Sequence, residues 1–370
     1  MATFPRNEIL SLTDEQPRHE LGESYGPDLR LADLLTPELG ELLLGYGTAS
    51  GDHRLRAAIA SSHGVQADQV VITVGGMHAI FLLAYLLADG GGQVVTTAPL
   101  FPLARNAYES VGADVRVIPV SFDGGYRLTA ADVRAQLTPE TKLVSLATPQ
   151  NPSGVAVSPG TLREIVAAME EVCPEAYLMV DETYRTAAYG DDPVVETAVH
   201  LGPKAVSVAS LSKCHGAAGL RIGWIVSTDA ALVDQVMLGK FNTVVSAPPV
   251  TEALAVRVFE LEDQLLAVRR RQLADGLAAT DVWVRENEDL VEWIRPDAGA
   301  LCCVRLKPSA FDDAAVGRFY EVSADEGVRV ANGTWFGDEP RTFRLGFGYL
   351  PAVELKAALE ALTTALRRAR

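Results

Sequence analysis

The chain of 370 residues contains only four cysteines, and they form no CxxC pair. Cys173 and Cys214 stand alone, whereas Cys302 and Cys303 are adjacent. Zinc sites and disulfide frameworks use cysteines at recurring spacings, so this pattern predicts neither a metal site nor a disulfide-stapled fold. Free thiols are typical of a reducing compartment, and we therefore expect a cytoplasmic protein.

Positive charge and long hydrophobic runs are also scarce. The 32 Lys and Arg residues stand against 48 Asp and Glu residues, which gives a formal net charge of −16 at pH 7. Since nucleic acids and anionic membranes are bound by basic surfaces, we expect neither as a partner. The most apolar stretch, residues 79–88, is too short to span a bilayer, and residues 1–8 lack the apolar core of a signal peptide.

Between residues 70 and 226, short β-branched runs alternate with helical stretches. Nearly continuous apolar strands separated by helices are typical of a parallel sheet that is covered on both faces. We predict an α/β fold with three layers, α/β/α, around a mostly parallel seven-stranded sheet. The last strand is expected to run antiparallel, because the loop before it is too short for a helical crossover. The predicted strands are 70–74, 93–97, 115–120, 142–146, 177–180, 205–208 and 224–226.

The C-terminal third has a different pattern and predicts a smaller α+β subdomain. A helical pattern from about residue 250 to residue 277 connects it to the preceding part. We expect three parts: residues 1–45, an N-terminal segment that packs on the small domain and on the ligand site; residues 46–275, the large domain; and residues 276–370, the small domain.

Lys213 lies in the most informative run of the chain, residues 210–224. A lysine that forms a Schiff base needs close backbone approach, a neighbouring anion site and a lowered pKa. Ser210 and Arg221 are suited to an anion site, because phosphate is held well by hydroxyl groups and a planar guanidinium. The alternative is an exposed lysine in a loop rich in serine and glycine.

Two turns at predicted strand ends are candidates for ligand contacts. Gly76 and Met77 follow a strand and open a helix, where backbone N–H groups bind phosphate; the alternative is a tight packing turn. Asn151 follows another strand and stands between two prolines that restrain its backbone. Ligands bind at this end of open α/β sheets, although a purely structural turn would use the same residues.

Three further residues suit a flat, nitrogen-containing ring. Asp181 ends a predicted strand, where its carboxylate pairs with a protonated ring nitrogen or, alternatively, caps a helix. Tyr184 follows three residues later and offers a hydroxyl donor. Phe101 follows a different strand and either covers the ring face or packs within its loop.

In their order and spacing these motifs resemble the fold-type-I pyridoxal phosphate (PLP) enzymes, and within them the class I/II aminotransferase family. The resemblance extends from about residue 21 to residue 368. The matching runs are 45–56, 151–154, 181–184, 210–224 and 343–347.

The resemblance implies PLP as cofactor and assigns a role to each matching residue. Those that would contact the cofactor are Lys213 (Schiff base and proton transfer), Asp181 (ring nitrogen), Asn151 and Tyr184 (ring 3-oxygen), Phe101 (ring face), and Ser210, Arg221, Gly76 and Met77 (phosphate). It also implies that Arg344 grips the substrate α-carboxylate, beside Asn151. Tyr46 matches a tyrosine that reaches the phosphate of a neighbouring subunit, which implies a homodimer with shared active sites.

Two residues depart from the family pattern. Met77 stands where a hydroxyl residue is frequent, so only its backbone N–H can serve the phosphate. His215 stands where Phe or Tyr is usual, which favours a packing or phosphate-loop role over catalysis.

The resemblance implies transamination between an L-amino acid and a 2-oxo acid by a ping-pong mechanism. Residues 50–56 and 148–154 are also similar to bacterial capreomycidine synthase, which cyclises a hydroxylated arginine. The alternative function is therefore a PLP-dependent cyclase, lyase or oxidase acting on arginine or a hydroxylated arginine in specialised metabolism. Glu23 would then meet the cationic side chain of the substrate, or else be a solvated charge. A more remote alternative is a non-catalytic PLP-binding regulator, which would require a DNA-binding module.

Overall fold

The structure is a computed structural model that describes residues 4–14, 16–189 and 196–370. Residues 1–3 and 15 of the predicted N-terminal segment lie outside the described residues. The α-helices are α1 (Ser11–Asp14), α2 (Pro37–Gly40), α3 (His53–His63), α4 (Gly75–Ala88), α5 (Pro102–Ser110), α6 (Ala130–Arg134), α7 (Pro159–Val172), α8 (Ala230–Val244), α9 (Pro249–Glu260), α10 (Glu262–Glu286), α11 (Asp313–Asp325) and α12 (Ala352–Ala369).

The strands are β1 (His19–Glu20), β2 (Val70–Thr73), β3 (Gln93–Ala98), β4 (Asp114–Pro119), β5 (Thr141–Ala147), β6 (Tyr177–Asp181), β7 (Ala205–Ser210), β8 (Gly223–Ser227), β9 (Val291–Ile294), β10 (Leu301–Leu306), β11 (Val328–Arg329), β12 (Ala331–Asn332) and β13 (Thr342–Gly346). Short 3₁₀ helices lie at Glu8–Leu10, Leu31–Asp33, Ala67–Gln69, Ala198–Leu201, Ala218–Leu220 and Gly333–Phe336.

Seven strands form one sheet in the order β2-β8-β7-β6-β5-β3-β4. The pairs from β7 through β6, β5 and β3 to β4 are parallel, whereas β8 is antiparallel to both β7 and β2. The predicted mostly parallel seven-stranded sheet with a reversed last strand is thus confirmed. Because the parallel strands share one direction, their carboxyl ends meet at one edge of the sheet.

Successive residues of these strands face opposite layers of helices. Val94 and Leu143 pack with α4, α5 and α8, whereas their neighbours Val95 and Val144 pack with α6 and α7. At the other end of the sheet, Val70 and Ile72 of β2 and Trp224 and Val226 of β8 pack with α3 and α9. Strands with apolar residues on both faces require cover on both sides, which produces the three layers.

The C-terminal part builds a separate antiparallel sheet in the order β12-β13-β10-β9. Helices α10, α11 and α12 cover it and share one apolar core with it. Strand β11 forms a separate two-stranded parallel sheet with β1, which attaches the N-terminal segment to this part of the molecule. This α+β arrangement agrees with the prediction for the chain after residue 276.

The predicted helical connector is two helices rather than one. Leu261 has φ −102° and ψ 3°, ends α9 and precedes α10. The predicted domain boundary between residues 275 and 276 falls inside α10, and the division into three parts stays a prediction. Within the described ranges, every helix is too short or too polar to cross a bilayer.

Candidate active site

The carboxyl ends of the parallel strands bring the predicted ligand residues to one edge of the large sheet. Strand β5 is followed by the turn that carries Asn151, β6 ends at Asp181, and β7 ends at Ser210. Phe101 lies just beyond β3 and borders the same cleft as Asn151 and Asp181. Residues that are up to 109 positions apart in the chain therefore lie along one edge, because the strands before them are consecutive in the sheet order β7-β6-β5-β3.

Lys213 lies in the loop after β7, in a site that the N-terminal segment covers. Its Nζ donates a hydrogen bond to Ser24 Oγ at 3.0 Å and lies 4.9 Å from the centre of the Tyr25 ring. Burial lowers the pKa of Lys213 to about 8; the Glu23 carboxylate opposes this effect, and the Arg344 guanidinium adds to it. A substantial fraction of this amine is neutral near physiological pH and can act as a nucleophile or base.

Asp181 is held by the turn that follows it. The backbone N–H of Thr183 donates to its Oδ1 at 2.9 Å. Burial raises the pKa of Asp181, while the hydrogen bonds from Thr183 and the charge of Lys213 act in the opposite direction. A cation placed against this carboxylate would keep it ionised.

Tyr184 presents a buried hydroxyl group to the same site. Its oxygen forms no well-aligned hydrogen bond among the described residues, although Ser24 is close enough to lower its pKa; burial has the larger effect and raises the pKa, so the hydroxyl stays protonated. Buried polar groups are almost always satisfied in native proteins. An unpartnered donor in a covered cleft therefore indicates a ligand acceptor at this position.

Arg344 comes from β13 of the small sheet and reaches Asn151 of the large one. Its Nη1 donates to Asn151 Oδ1 at 2.9 Å, and its Nη2 donates to the carbonyl oxygen of Gly22. The side chain is 1% exposed, and the guanidinium carbon lies 4.7 Å from the centre of the Phe336 ring. Burial lowers the pKa of Arg344. The guanidinium is thus immobilised next to Lys213, and its Nε lacks a hydrogen-bond partner among the described residues.

The start of α4 forms a cradle bounded by glycines. A Cβ at Gly223 would lie 2.4 Å from the backbone carbon of Gly75, and a Cβ at Gly75 would lie 2.4 Å from a terminal nitrogen of Arg221. Gly75 also has φ 77°, which favours glycine. Ser210 borders Gly76 from β7. Hydroxyl, guanidinium and free N–H groups at a helix N-terminus converge here, a combination that binds phosphate.

Phe101 and Met77 flank this region without a polar role. Phe101 is half-buried and packs against Ile9, Ala331 and Phe336 at the edge of the cleft. Met77 is half-buried within the apolar layer around α4, so its contribution to an anion site is limited to its backbone N–H, as the sequence indicated.

Tyr46 does not join the other site residues within its own chain. Its side chain is 89% exposed and follows the exposed residues Leu43 and Leu44. His215 also points away from the site, since its Nε2 is 2.8 Å from Glu262 Oε1 of α10 and its ring packs near Phe259 of α9. This placement agrees with the packing role expected for His215.

Residues 19–30, here termed the N-terminal strap, cover the site and supply residues that the sequence motifs did not reveal. Gly346 N–H donates to Leu21 O at 2.7 Å, and Leu29 N–H donates to Gly216 O at 2.8 Å. These anchors place Ser24 and Tyr25 against Lys213. Neither residue belongs to a recognisable motif, and the one available signal was the acidic character of the segment around Glu23.

The sequence comparisons show the family of this protein. The model of the family "Aminotransferase class I and II" matches residues 29–362, and the chain belongs to this family. Enzymes of this family use PLP as their cofactor. The chain is 29% identical to capreomycidine synthase of Streptomyces vinaceus, with 92% of this chain and 86% of that protein aligned.

Two further proteins extend the comparison. The chain is 28% identical to arginine–pyruvate transaminase of Pseudomonas aeruginosa, over 83% of this chain and 79% of that protein. Among solved structures, the PLP-dependent cyclase OrfR superposes with a TM-score of 0.86 and 26% identity, and the alignment covers 100% of both chains. Relatives with the same fold thus include both transaminases and a cyclase.

Proposed function

We propose that the protein is an aminotransferase that exchanges an amino group between an L-amino acid and a 2-oxo acid by a ping-pong mechanism. The observation that supports this proposal most strongly is the arrangement around Lys213. A lysine with a lowered pKa, a strand-end carboxylate and an immobilised arginine lie at one covered edge of the sheet. These are the groups that amino-group transfer on PLP requires.

The residues at this edge fit the cofactor. The unpartnered Tyr184 hydroxyl and the side-chain amide of Asn151, whose oxygen is occupied by Arg344, are both available as donors to the ring 3-oxygen. Asp181 would hold a proton on the ring nitrogen, and Phe101 would cover the ring face. Ser210, Arg221 and the backbone of Gly76 and Met77 would bind the phosphate.

When bound, PLP supplies an aldehyde carbon for the amino group and a ring that accepts the electrons of the broken Cα–H bond. The residues of this chain supply the rest. Lys213 Nζ would hold the cofactor covalently and then take up and return the proton of the substrate Cα. Arg344 would orient the substrate through its α-carboxylate with its planar guanidinium. The strap, with Ser24 and Tyr25, would exclude water from these steps.

The test is to incubate the holoenzyme with a panel of amino acids, with and without 2-oxo acid acceptors, and to follow the cofactor spectrum, 2-oxo acid, ammonia and oxygen. Transamination converts the cofactor to its amino form, and this form is discharged when an acceptor is added. Ammonia release or oxygen uptake that does not depend on an acceptor would contradict the proposal. PLP binding with no reaction toward any amino acid would support the regulator instead.

A second candidate, a cyclase or lyase acting on arginine or a hydroxylated arginine, is favoured by Glu23. This half-buried carboxylate has no hydrogen-bond or ion-pair partner in the described part of the chain, yet it raises the pKa of Lys213. Once Lys213 is bound to the cofactor, Glu23 would lose the free amine as a compensating charge. A substrate guanidinium would supply that charge, in line with the name of the arginine–pyruvate transaminase.

Arginine and citrulline test the cation-binding role of Glu23, because they have nearly the same shape and differ in side-chain charge. We expect the holoenzyme to bind arginine about tenfold or more tightly than citrulline, the effect of one charge-assisted contact. Glu23→Gln should remove the preference, and Glu8→Gln, an exposed control outside the strap, should retain it. Equal affinities in the unaltered enzyme would refute a cation-binding role for Glu23 and leave amino-group transfer unaffected. A cyclised product formed from hydroxylated arginine with loss of water, without a 2-oxo acid acceptor, would identify the cyclase.

We further propose a homodimer in which Tyr46 reaches the phosphate site of a second copy. The supporting observation is an exposed apolar surface on both sides of the Tyr46 loop, since large exposed apolar patches mark interaction surfaces. Its residues are Leu43, Leu44, Tyr46, Phe241, Val244, Val245 and Val250. Leu44→Glu should yield monomers in sedimentation equilibrium, whereas an unchanged mass would refute this interface.

A further inference from the structure

A buried lysine and a buried glutamate lie beneath the loop that carries Tyr46. Lys240 of α8 is 0% exposed and Glu252 of α9 is 2% exposed. Neither residue belongs to the site described above. Lys240 Nζ has no hydrogen-bond partner among the described residues. Buried charges are costly unless they are compensated, so their retention here needs a physical reason.

The Glu252 carboxylate is in direct contact with the loop of residues 47–52. Its Oε1 accepts a hydrogen bond from the backbone N–H of Asp52 at 3.1 Å. A Cβ at Gly47 would lie 3.2 Å from Oε2, and a Cβ at Gly51 would lie 2.9 Å from Oε1. The two glycines therefore leave the space that the carboxylate occupies, and the loop is wrapped around it.

Further contacts close the loop on this carboxylate. The N–H of Gly47 donates to Ser246 Oγ at 3.2 Å, and Thr48 Oγ1 donates to Gly51 O at 2.6 Å. Tyr46 directly precedes Gly47, and its own side chain is exposed. The ring of Tyr46 therefore has little packing within its own chain.

The charge of Lys240 opposes the effect of burial on the pKa of Glu252. Burial raises the pKa of Glu252 and lowers that of Lys240, whereas each residue opposes the shift of the other. The other charged groups facing the pair are Arg56 of α3, which lowers the pKa of Lys240, and Asp52, which raises the pKa of Glu252. The positive charge of Lys240 also lowers the pKa of His78 of α4. Arg56 donates to Ser50 Oγ and Val70 O and, within the described part of the chain, makes no hydrogen bond to Glu252.

We propose that Glu252 and Lys240 are positioning residues that orient Tyr46 toward the cofactor phosphate of a second copy. The proposal rests on the proposed function, which assigns that contact to Tyr46. Glu252 holds the loop through the Asp52 N–H, and the buried Lys240 favours the charged form of this carboxylate in the apolar interior. The pair thereby connects the core of one copy to the active site of the other.

The test compares PLP loss from the holoenzyme when Tyr46 is present and when it is replaced by Phe. Glu252→Gln and Lys240→Met each remove one of the two buried charges and leave the other. The double variant Glu252→Gln/Lys240→Met contains neither charge, and its glutamine side-chain oxygen can still accept the hydrogen bond from the Asp52 N–H. The measurement is the dissociation rate of PLP after dilution into a PLP scavenger, with the ³¹P chemical shift of the bound phosphate as a second readout. Glu260→Gln, at the exposed end of α9, is the matched control.

We expect each single variant to lose PLP about tenfold faster and to shift the ³¹P signal when Tyr46 is present, the effect of one phosphate contact. With Tyr46→Phe, the same variants should change the rate by less than about twofold, because the contact is already absent. The double variant should restore most of the original rate, since it contains no buried unpaired charge. It also keeps the proposal testable if a single variant fails to fold.

Three outcomes would overturn the proposal. Equal acceleration with and without Tyr46 would show a general structural role, and an unchanged rate in the Glu252 and Lys240 variants would show no role. If Tyr46→Phe alone leaves PLP loss unchanged, the assignment of Tyr46 fails and the positioning role fails with it. If Tyr46→Phe accelerates PLP loss but the pair variants do not, the positioning role alone is refuted.

Discussion

Lys213 combines burial with neighbouring charges of both signs. The Glu23 carboxylate and Asp181 raise its pKa, and the guanidinium groups of Arg344 and Arg221 lower it. Burial is the largest effect and brings the pKa to about 8. At pH 7 the neutral fraction of this amine is roughly 300-fold larger than that of a lysine with a pKa of 10.5. The environment therefore prepares the amine to react with an aldehyde.

The first prediction concerns the pH dependence of this amine. A lowered pKa means that the reactive neutral form appears at lower pH, so the rate at which the apoenzyme combines with PLP should rise through about pH 8. Glu23→Gln should move the midpoint to lower pH, because the Glu23 carboxylate raises the pKa. Stopped-flow absorbance across a pH series measures both midpoints. Lys213→Ala is the control and should not combine covalently with PLP at any pH.

At the scale of the element, the N-terminus of α4 depends on the close approach of β8. Gly223 opens β8 and lies against the backbone of Gly75 and Gly76, where a methyl group would be only 2.4–2.8 Å from main-chain atoms. The strand β8 runs antiparallel to β2, the strand that precedes α4. The antiparallel strand β8 thus positions the N-terminus of α4, the proposed phosphate site, relative to Ser210.

The second prediction tests this contact with Gly223→Ala. Overpacking of this kind costs about 1–3 kcal/mol, so the free energy of unfolding should decrease by that amount. PLP affinity should decrease as well, because the displaced backbone is the one proposed to bind the phosphate. Denaturant unfolding and PLP titration are the measurements. Gly219→Ala, in the same loop and with no atom within 4 Å of the added methyl group, should be nearly neutral in both.

At the scale of the whole molecule, the loop between β4 and α6 connects the two sheets. Asp123 pairs with Arg305 at 2.8 Å, Tyr126 donates to Asp338 at 2.5 Å, and Arg127 pairs with Asp297 at 2.6 Å. The three partners belong to the C-terminal part of the chain. Tyr126 has φ 52°, an unfavourable conformation for a residue with a side chain. These contacts control the position of the small sheet, and hence of Arg344, relative to Asn151.

The third prediction concerns Tyr126→Phe and Asp338→Asn, singly and together. Loss of one partly buried hydrogen bond to a carboxylate should destabilise the protein by about 1–2 kcal/mol, and the two changes should not be additive. KM for the amino acid should rise more than kcat falls if Arg344 binds the substrate carboxylate as proposed. Urea unfolding and steady-state kinetics test both effects. Additive losses of stability with an unchanged KM would contradict this connection.

Much of the fold follows from local patterns that the sequence displays directly. Alternating apolar strands and helices predicted the three layers, and the short loop before residues 224–226 predicted the reversed strand, because both depend on periodicity and loop length. The residues at strand ends, such as Asp181 and Asn151, were identifiable since parallel strands bring their carboxyl ends together. Their roles toward PLP remain proposals that the variants above test.

The sequence by itself determined the family, the order in which the motifs follow the strands, and the residue types that chemistry on PLP requires. The tertiary structure alone decided which distant residues surround them. Ser24 contacts Lys213 across 189 positions, Arg344 contacts Asn151 across 193, and Glu252 contacts Asp52 across 200. Periodicity and spacing report on neighbours within an element. Contacts of this separation depend on how whole elements pack, and no local pattern encodes them.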